Sequence, residues 1–171
     1  MTTETVQTGQ AADGYGIVLW VPTIADPTAP TATELAAGTV KRITYGLAPD
    51  GFRHDTTVST INTGRYTLKQ TIELDGTVTD TVEIQYVYNR ATPTVVETAL
   101  GTPGTAGYIV HALGYESGHT FVEDDVLNAV IPVSTSIARD VPPTANTELM
   151  KVLKLNVTGT VHREVAVAAG A

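Results

Sequence analysis

Four histidines, at positions 54, 111, 119 and 162, are the residues of this 171-residue chain whose chemistry best suits metal binding or proton transfer. No two of them stand at a ligand spacing such as His-x-x-x-His, so only the fold could gather them. The densest polar run is YESGHTFVEDD, where Glu116, His119, Glu123, Asp124 and Asp125 could supply oxygen and nitrogen ligands. Its carboxylate spacing misses the pattern of a Ca²⁺ loop, and a solvated loop accounts for it. Ser59, Ser117, Ser134 and Ser136 are nucleophiles only nominally, since none lies in Gly-x-Ser-x-Gly. Gly101-Thr-Pro-Gly104 is too short and too proline-bound to cradle a phosphate. Cysteine is absent, which removes disulfides and thiolate metal sites. No catalytic residues, no cofactor site and no metal site are therefore expected, and the informative residues are those that shape surfaces.

Composition agrees. Thr is the commonest residue and Val the next, a bias toward pleated sheet, and 42% hydrophobic content in a chain of this length supports one sizeable core. The net charge of −8, with ten scattered basic residues, argues against clamping nucleic acid through its phosphates. No apolar run approaches bilayer length, and the opening MTTETVQTGQAADG lacks the basic end and apolar stretch of a signal peptide, so a soluble, non-secreted protein is expected.

The most demanding stretch is TLKQTIELDGTVTDTVEIQYVY, Thr67 to Tyr88. Leu68, Ile72 and Leu74 share one face of a strand, and Val78, Val82, Ile84, Tyr86 and Tyr88 one face of another. A two-residue turn at Asp75-Gly76 would set these apolar faces on opposite sides. A three-residue connection, Asp75-Gly76-Thr77, pairs Leu74 with Val78 and Leu68 with Ile84 and restores one apolar face. That register predicts a ribbon whose other face carries Thr71, Glu73, Thr79, Thr81, Glu83 and Gln85, with Lys69 beside them.

Elsewhere the sequence predicts a polar N-terminal arm over 1–14 and one β domain over 15–171. GIVLWVP is a buried strand ended by Pro22, with Trp20 as a core anchor or a contact to another subunit. Thr31-x-x-Glu34 has capping-box spacing. A strand follows at Thr39–Leu47, then turns at Pro49-Asp50-Gly51 and Asn62-Thr63-Gly64 around a short strand at Thr56–Ile61. ATPTVVETALG predicts a helix capped by Thr92 and ended by Gly101. Strands follow at Ala106–Tyr115 and Asp125–Val141, the latter edged or bulged at Pro132, and two more meet as a hairpin about Thr158-Gly159. Seven or eight strands and one helix make a mainly β sandwich or barrel.

Taken in order, VLWVPTIADPTAPTATELAAGTVKRITY, DGTVTDTVEIQYVYN, ETALGTPGTAGYIVHALG, VEDDVLNAVIPVSTS and LMKVLKLNVTGTVHREVAVAA resemble the major tail tube proteins of long-tailed bacteriophages, particularly those of actinobacteria. The resemblance spans roughly residues 16–169. It implies a β-sandwich with one flanking helix and a virion subunit that forms hexameric rings. These stack into a tube through which the tape-measure protein and then DNA pass, bounded by terminator and initiator proteins. On that reading the polar ribbon face lines the lumen, where carboxylates and hydroxyls suit sliding DNA better than Lys or Arg. Trp20, the connection holding Asp50 and Phe52, and the tip at Asp75 and Gly76 become candidates for subunit contacts. A capsid decoration or minor tail protein, and a carbohydrate-binding sandwich, are the alternatives.

Overall fold

The computed structural model describes residues 5–67 and 69–170. The first four residues of the expected arm, and Leu68 with its expected partnership to Ile84, lie outside them. Among the described residues nine strands form: β1 Gly16–Val21, β2 Lys41–Arg42, β3 Leu47–Thr63, β4 Ile72–Val87, β5 Ala106–Leu113, β6 Val126–Thr135, β7 Arg139–Asp140, β8 Met150–Val157 and β9 His162–Ala166. Two short helices accompany them, α1 Ala32–Leu35 and α2 Val95–Leu100. Every strand pair with an assigned register, β1–β2, β1–β5, β3–β4, β4–β8, β6–β8, β6–β9 and β7–β8, is antiparallel, and the expected mainly β, sandwich-type class is what the chain adopts.

The backbone divides into two compact units, the first comprising residues 5–45, 107–132 and 161–170. Here β1 pairs with β2 and with β5, and the first half of β6 pairs with β9. The unbroken run Ile17–Val21 is at most 5% exposed at any position, as expected of a strand covered on both faces. One of those faces, Ile17, Leu19 and Val21, joins a core with Leu35, Val110, Ala112, Phe121, Leu127, Val130 and Val165. The indole of Trp20, 3% exposed, is so close to the β5 backbone that a Cβ on Gly107 would fall 2.5 Å from its Cη2.

The capping box forms in full and explains why so short a helix persists. The Glu34 amide donates to Thr31 Oγ1 at 3.2 Å, and the Thr31 amide to Glu34 Oε2 at 2.8 Å. The other Glu34 oxygen accepts from the Ala25 amide at 2.8 Å. These backbone donors, Ala25 first, hold the Glu34 carboxyl below its ordinary pKa.

The second unit comprises residues 46–106 and 133–160. The end of β6 pairs with β8, β8 with β4, and β4 with β3, while β7 pairs with β8. One face is buried through Val82, Ile84, Tyr86, Val133, Leu153 and Leu155, and α2 packs on it with Val96 and Leu100. The helix is capped by Thr94, whose hydroxyl accepts from the Glu97 amide at 3.3 Å, two residues later than expected. Pro93 lies immediately before the cap, outside the helix.

Several expected turns prove to be irregularities inside longer strands. Pro49-Asp50-Gly51 lies within the 17-residue β3, where Leu47 faces Tyr86 but Phe52 already faces Ile84. The intervening residues bulge out, and a Cβ on Gly51 would stand 2.3 Å from the Gln85 carbonyl, so glycine is required there. The strand expected at Thr39–Leu47 shrinks to two residues before a 3₁₀ turn at Thr44–Gly46. Nor does Thr158-Gly159 close a hairpin: β8 and β9 both run antiparallel to β6, β8 from Val133 to Thr135 and β9 from Val126 to Val130. Pro132 sits in the gap between these two ladders, where the missing N–H deprives neither.

Candidate assembly surface

Asp75-Gly76 is not a turn. β4 runs through it for 16 residues, and the reversal between β3 and β4 falls at 64–71. Leu74 therefore faces Ile61, and Val78 faces Val58; they do not face each other. The glycine signal was real but marked a bulge. Between Val58↔Val78 and Thr60↔Asp75 the chain advances by Ser59 alone on β3 and by Gly76 and Thr77 on β4. A Cβ on Gly76 would stand 2.9 Å from the Ser59 carbonyl.

The extra residue reverses the sidedness of β4. Directly opposed residues share a face, and β3 alternates regularly past the bulge. Val58, Val78, Val82 and Ile84 therefore lie on the face that is buried at the base, and Ile61, Ile72 and Leu74 lie on the other. A Cβ on Gly76 would meet Ile61 Cγ1 at 3.2 Å, which places Gly76 and Ile61 on one side as the register requires.

The lumen candidates divide accordingly. Thr79 and Thr81 are exposed and Glu83 and Gln85 half-buried, all on the open polar face. Glu73 opposes Asn62 on the reverse side, and Thr71 precedes the strand in the connection. Arg53, Asp55 and Thr57 on β3 and Lys154 on β8 share the polar face by register with Glu83, Thr81 and Thr79. Glu83 also accepts from Arg139 Nη2 at 3.3 Å. The face is thus mixed in charge and not the acid-and-hydroxyl surface expected. Alternation in GFRHDTTVST could have revealed the β3 residues had the turn at Pro49-Asp50-Gly51 not ended the expected strand.

Among the subunit-contact candidates, Asp50 is exposed in the outward bulge, Phe52 is half-buried opposite Ile84, and Asp75 and Gly76 form the second irregularity. Trp20 is interior to the first unit. β8 accompanies β4 only from Val82 to Val87, so the outer ribbon consists of β3 and β4 alone, with β3 at the end of the strand order. Its apolar side chains are open: Val58 45%, Ile61 52%, Ile72 53%, Leu74 53% and Val78 52% exposed.

The polar clusters serve as braces. Asp125 Oδ2 meets His119 Nε2 at 2.7 Å and accepts from the Val122 amide at 2.8 Å, and the His119 ring stacks on Tyr115 with centroids 4.6 Å apart. Burial works to raise the Asp125 pKa, but these bonds outweigh it and the carboxyl lies below its ordinary value. Arg42 ties the same loop by donating to the Ser117 and His119 carbonyls. His54 contacts Asp80 at 3.0 Å across the ribbon. Among the described residues no group of His, Asp and Glu is disposed to hold a metal, and no helix is long and apolar enough to cross a membrane.

The distinctive surface of this antiparallel β protein is a long, half-apolar ribbon whose outer strand, β3, stands last in the strand order. A family model for phage tail tube proteins matches residues 3–170, and the chain belongs to that family. No curated protein matches it. Among solved structures it is similar in fold to a chain of the anti-feeding prophage baseplate, determined by cryo-electron microscopy with 6-fold symmetrisation, at a TM-score of 0.54 and 9% identity, over 92% of this chain and 98% of that one.

Proposed function

We propose that this tail tube protein self-assembles into hexameric rings that stack into the conduit for DNA ejection, as part of the virion. Family membership carries the tube; the ribbon supports self-assembly. An edge strand with unmet backbone donors and acceptors is a template for another chain, and a tube built of copies abolishes such edges by joining them. The polar face of β3, β4 and β8 is the lumen lining in this reading, with Thr79, Thr81, Glu83 and Gln85 as its centre. Hydroxyls and near-balanced charge keep that wall hydrated and let DNA pass without specific binding.

Tape-measure, terminator and initiator proteins are the expected partners. The N-terminal arm is exposed from Thr5 to Gly14 and orders on contact with a neighbouring ring. Ordering costs about 1–2 kcal/mol per residue in backbone entropy, so growth needs a template. Sedimentation velocity at rising concentration, with and without sheared tails as seeds, tests the proposal. Seeded growth of fast-sedimenting hollow particles supports it; monomers throughout, seeds included, overturn it.

A further inference from the structure

Resting on the tube reading, we propose that one row of the lumen wall is a cationic girdle that holds the phosphates of DNA inside the bore. The row comprises Arg53 of β3, Glu83 of β4 and Lys154 of β8, with Arg139 of β7 beside it. Arg53 and Lys154 stand on either side of Glu83 in register, and Arg139 Nη2 reaches the same carboxylate at 3.3 Å. Three cations thus surround one anion, on a chain whose net charge is −8. All three cations are exposed, and among the described residues Arg53 and Lys154 close no ion pair.

The excess does nothing for the isolated subunit. Neighbouring strands lie about 5 Å apart, so the three cations repel one another, and an exposed pair such as Arg139 with Glu83 offsets little of that. Asp55, opposite Thr81 in the next row, is the other carboxylate at a registered position of this face, which still leaves the cations in excess. An anion from outside the chain relieves the repulsion. Charges are screened over about 8 Å at physiological ionic strength, so a polyanion in the bore feels the wall beside it and not the chain's net charge.

Duplex DNA is the anion that fits. It carries one negative charge per about 1.7 Å of its axis, so a phosphate stands opposite the row wherever the sliding duplex has reached. A polypeptide such as the tape-measure protein would satisfy the row only where its acidic side chains fall. Phosphate contacts read no sequence and break with salt, so DNA still passes, with a drag that the row sets.

Seeded tubes of the full chain, incubated with a fluorescent duplex and then sedimented, test this. Wild-type tubes are expected to retain the duplex at low salt and to lose at least about tenfold of that affinity between about 50 and 200 mM salt, the dependence that two neutralised phosphates give. Arg53→Gln together with Lys154→Gln is expected to lower low-salt retention by a similar factor and Glu83→Gln to raise it, while Lys41→Gln, in β2 of the first unit, leaves it unchanged. In tubes that form normally, equal retention by wild type and the double variant, or an equal loss with Lys41→Gln, overturns the girdle and leaves the tube standing. Preferential retention of polyglutamate over the duplex also overturns it, by giving the row to an acidic polypeptide. Should the double variant not assemble, Glu83→Gln decides alone, and unchanged or weaker retention overturns the girdle. Failure of the unmodified chain to assemble with seeds overturns the tube reading and the girdle with it.

Discussion

The hydroxyl of Tyr86 donates to the Glu97 carboxylate at 2.6 Å, from the C-terminal end of β4 to the first turn of α2. The other oxygen of Glu97 accepts from Lys151 Nζ of β8 at 3.0 Å, and that ammonium lies 3.9 Å from the centroid of the Tyr88 ring. A six-residue helix is marginal alone, and this junction fastens it to two strands. Burial, and then the bond to Glu97, push the Tyr86 phenol well above its ordinary pKa, so it remains a donor at any physiological pH.

Tyr86→Phe removes that donor and leaves Glu97 with Lys151 as its side-chain partner. A loss of about 1–2 kcal/mol is expected in urea unfolding of the monomer. Glu97→Leu is expected to cost more than Tyr86→Phe, because it also orphans the half-buried Lys151 ammonium. An unchanged midpoint for both would remove the junction from the account.

Stability is expected to fall in acid by way of Glu97 and Asp125. For Glu97, burial raises the pKa but the bonds from Tyr86 and Lys151 lower it further, and the net shift is downward from 4.5. Asp125 is likewise held below 3.8. A carboxyl whose folded pKa is depressed stabilises the fold above its unfolded pKa, and that contribution is lost as pH falls through the folded value. Unfolding free energy should therefore decline below about pH 4.5, and Glu97→Gln should flatten the decline. A wild-type and variant slope that coincide would contradict this.

Gly107→Ala tests the seat of Trp20. The new Cβ would stand 2.5 and 2.6 Å from the indole and 3.0 Å from the Val21 carbonyl, neither of which can yield without moving β1. A loss of about 1–3 kcal/mol is expected, with altered indole fluorescence in the folded state.

Glu83→Lys replaces a carboxylate on the proposed lumen wall. Glu83 pairs with Arg139 and stands opposite Arg53 and Lys154 in register, so a lysine there adds like-charge repulsion and a monomer loss of about 1 kcal/mol is expected. Tubes should form normally, yet release DNA more slowly at low salt than at high salt, since every subunit then offers the passing phosphates a new cation. Salt-independent release would take Glu83 out of the bore.

Much of the fold was legible because local chemistry and global structure agreed. The apolar run before Pro22, the Thr31/Glu34 capping box and the alternation from Val78 to Tyr86 each point one way. What misled was glycine. Gly51 and Gly76 follow aspartate in turn-like sequence, but both are demanded by close approach of a carbonyl on the paired strand, which no local pattern reveals. From that one ambiguity came a shortened β3, a misplaced reversal and the assignment of Glu73 to the wrong face. The polar face around Thr79 and Thr81 survived because it lies on the near side of the bulge.

The central claim is that the exposed face of β3, β4 and β8 lines the bore of a tube. A cryo-electron microscopy reconstruction of seeded assemblies tests it most directly. Six-fold rings with Thr79, Thr81 and Glu83 facing a continuous channel are the expected result. A tube whose bore is lined by other strands, with those three side chains on its outer wall or sealed between subunits, would contradict it.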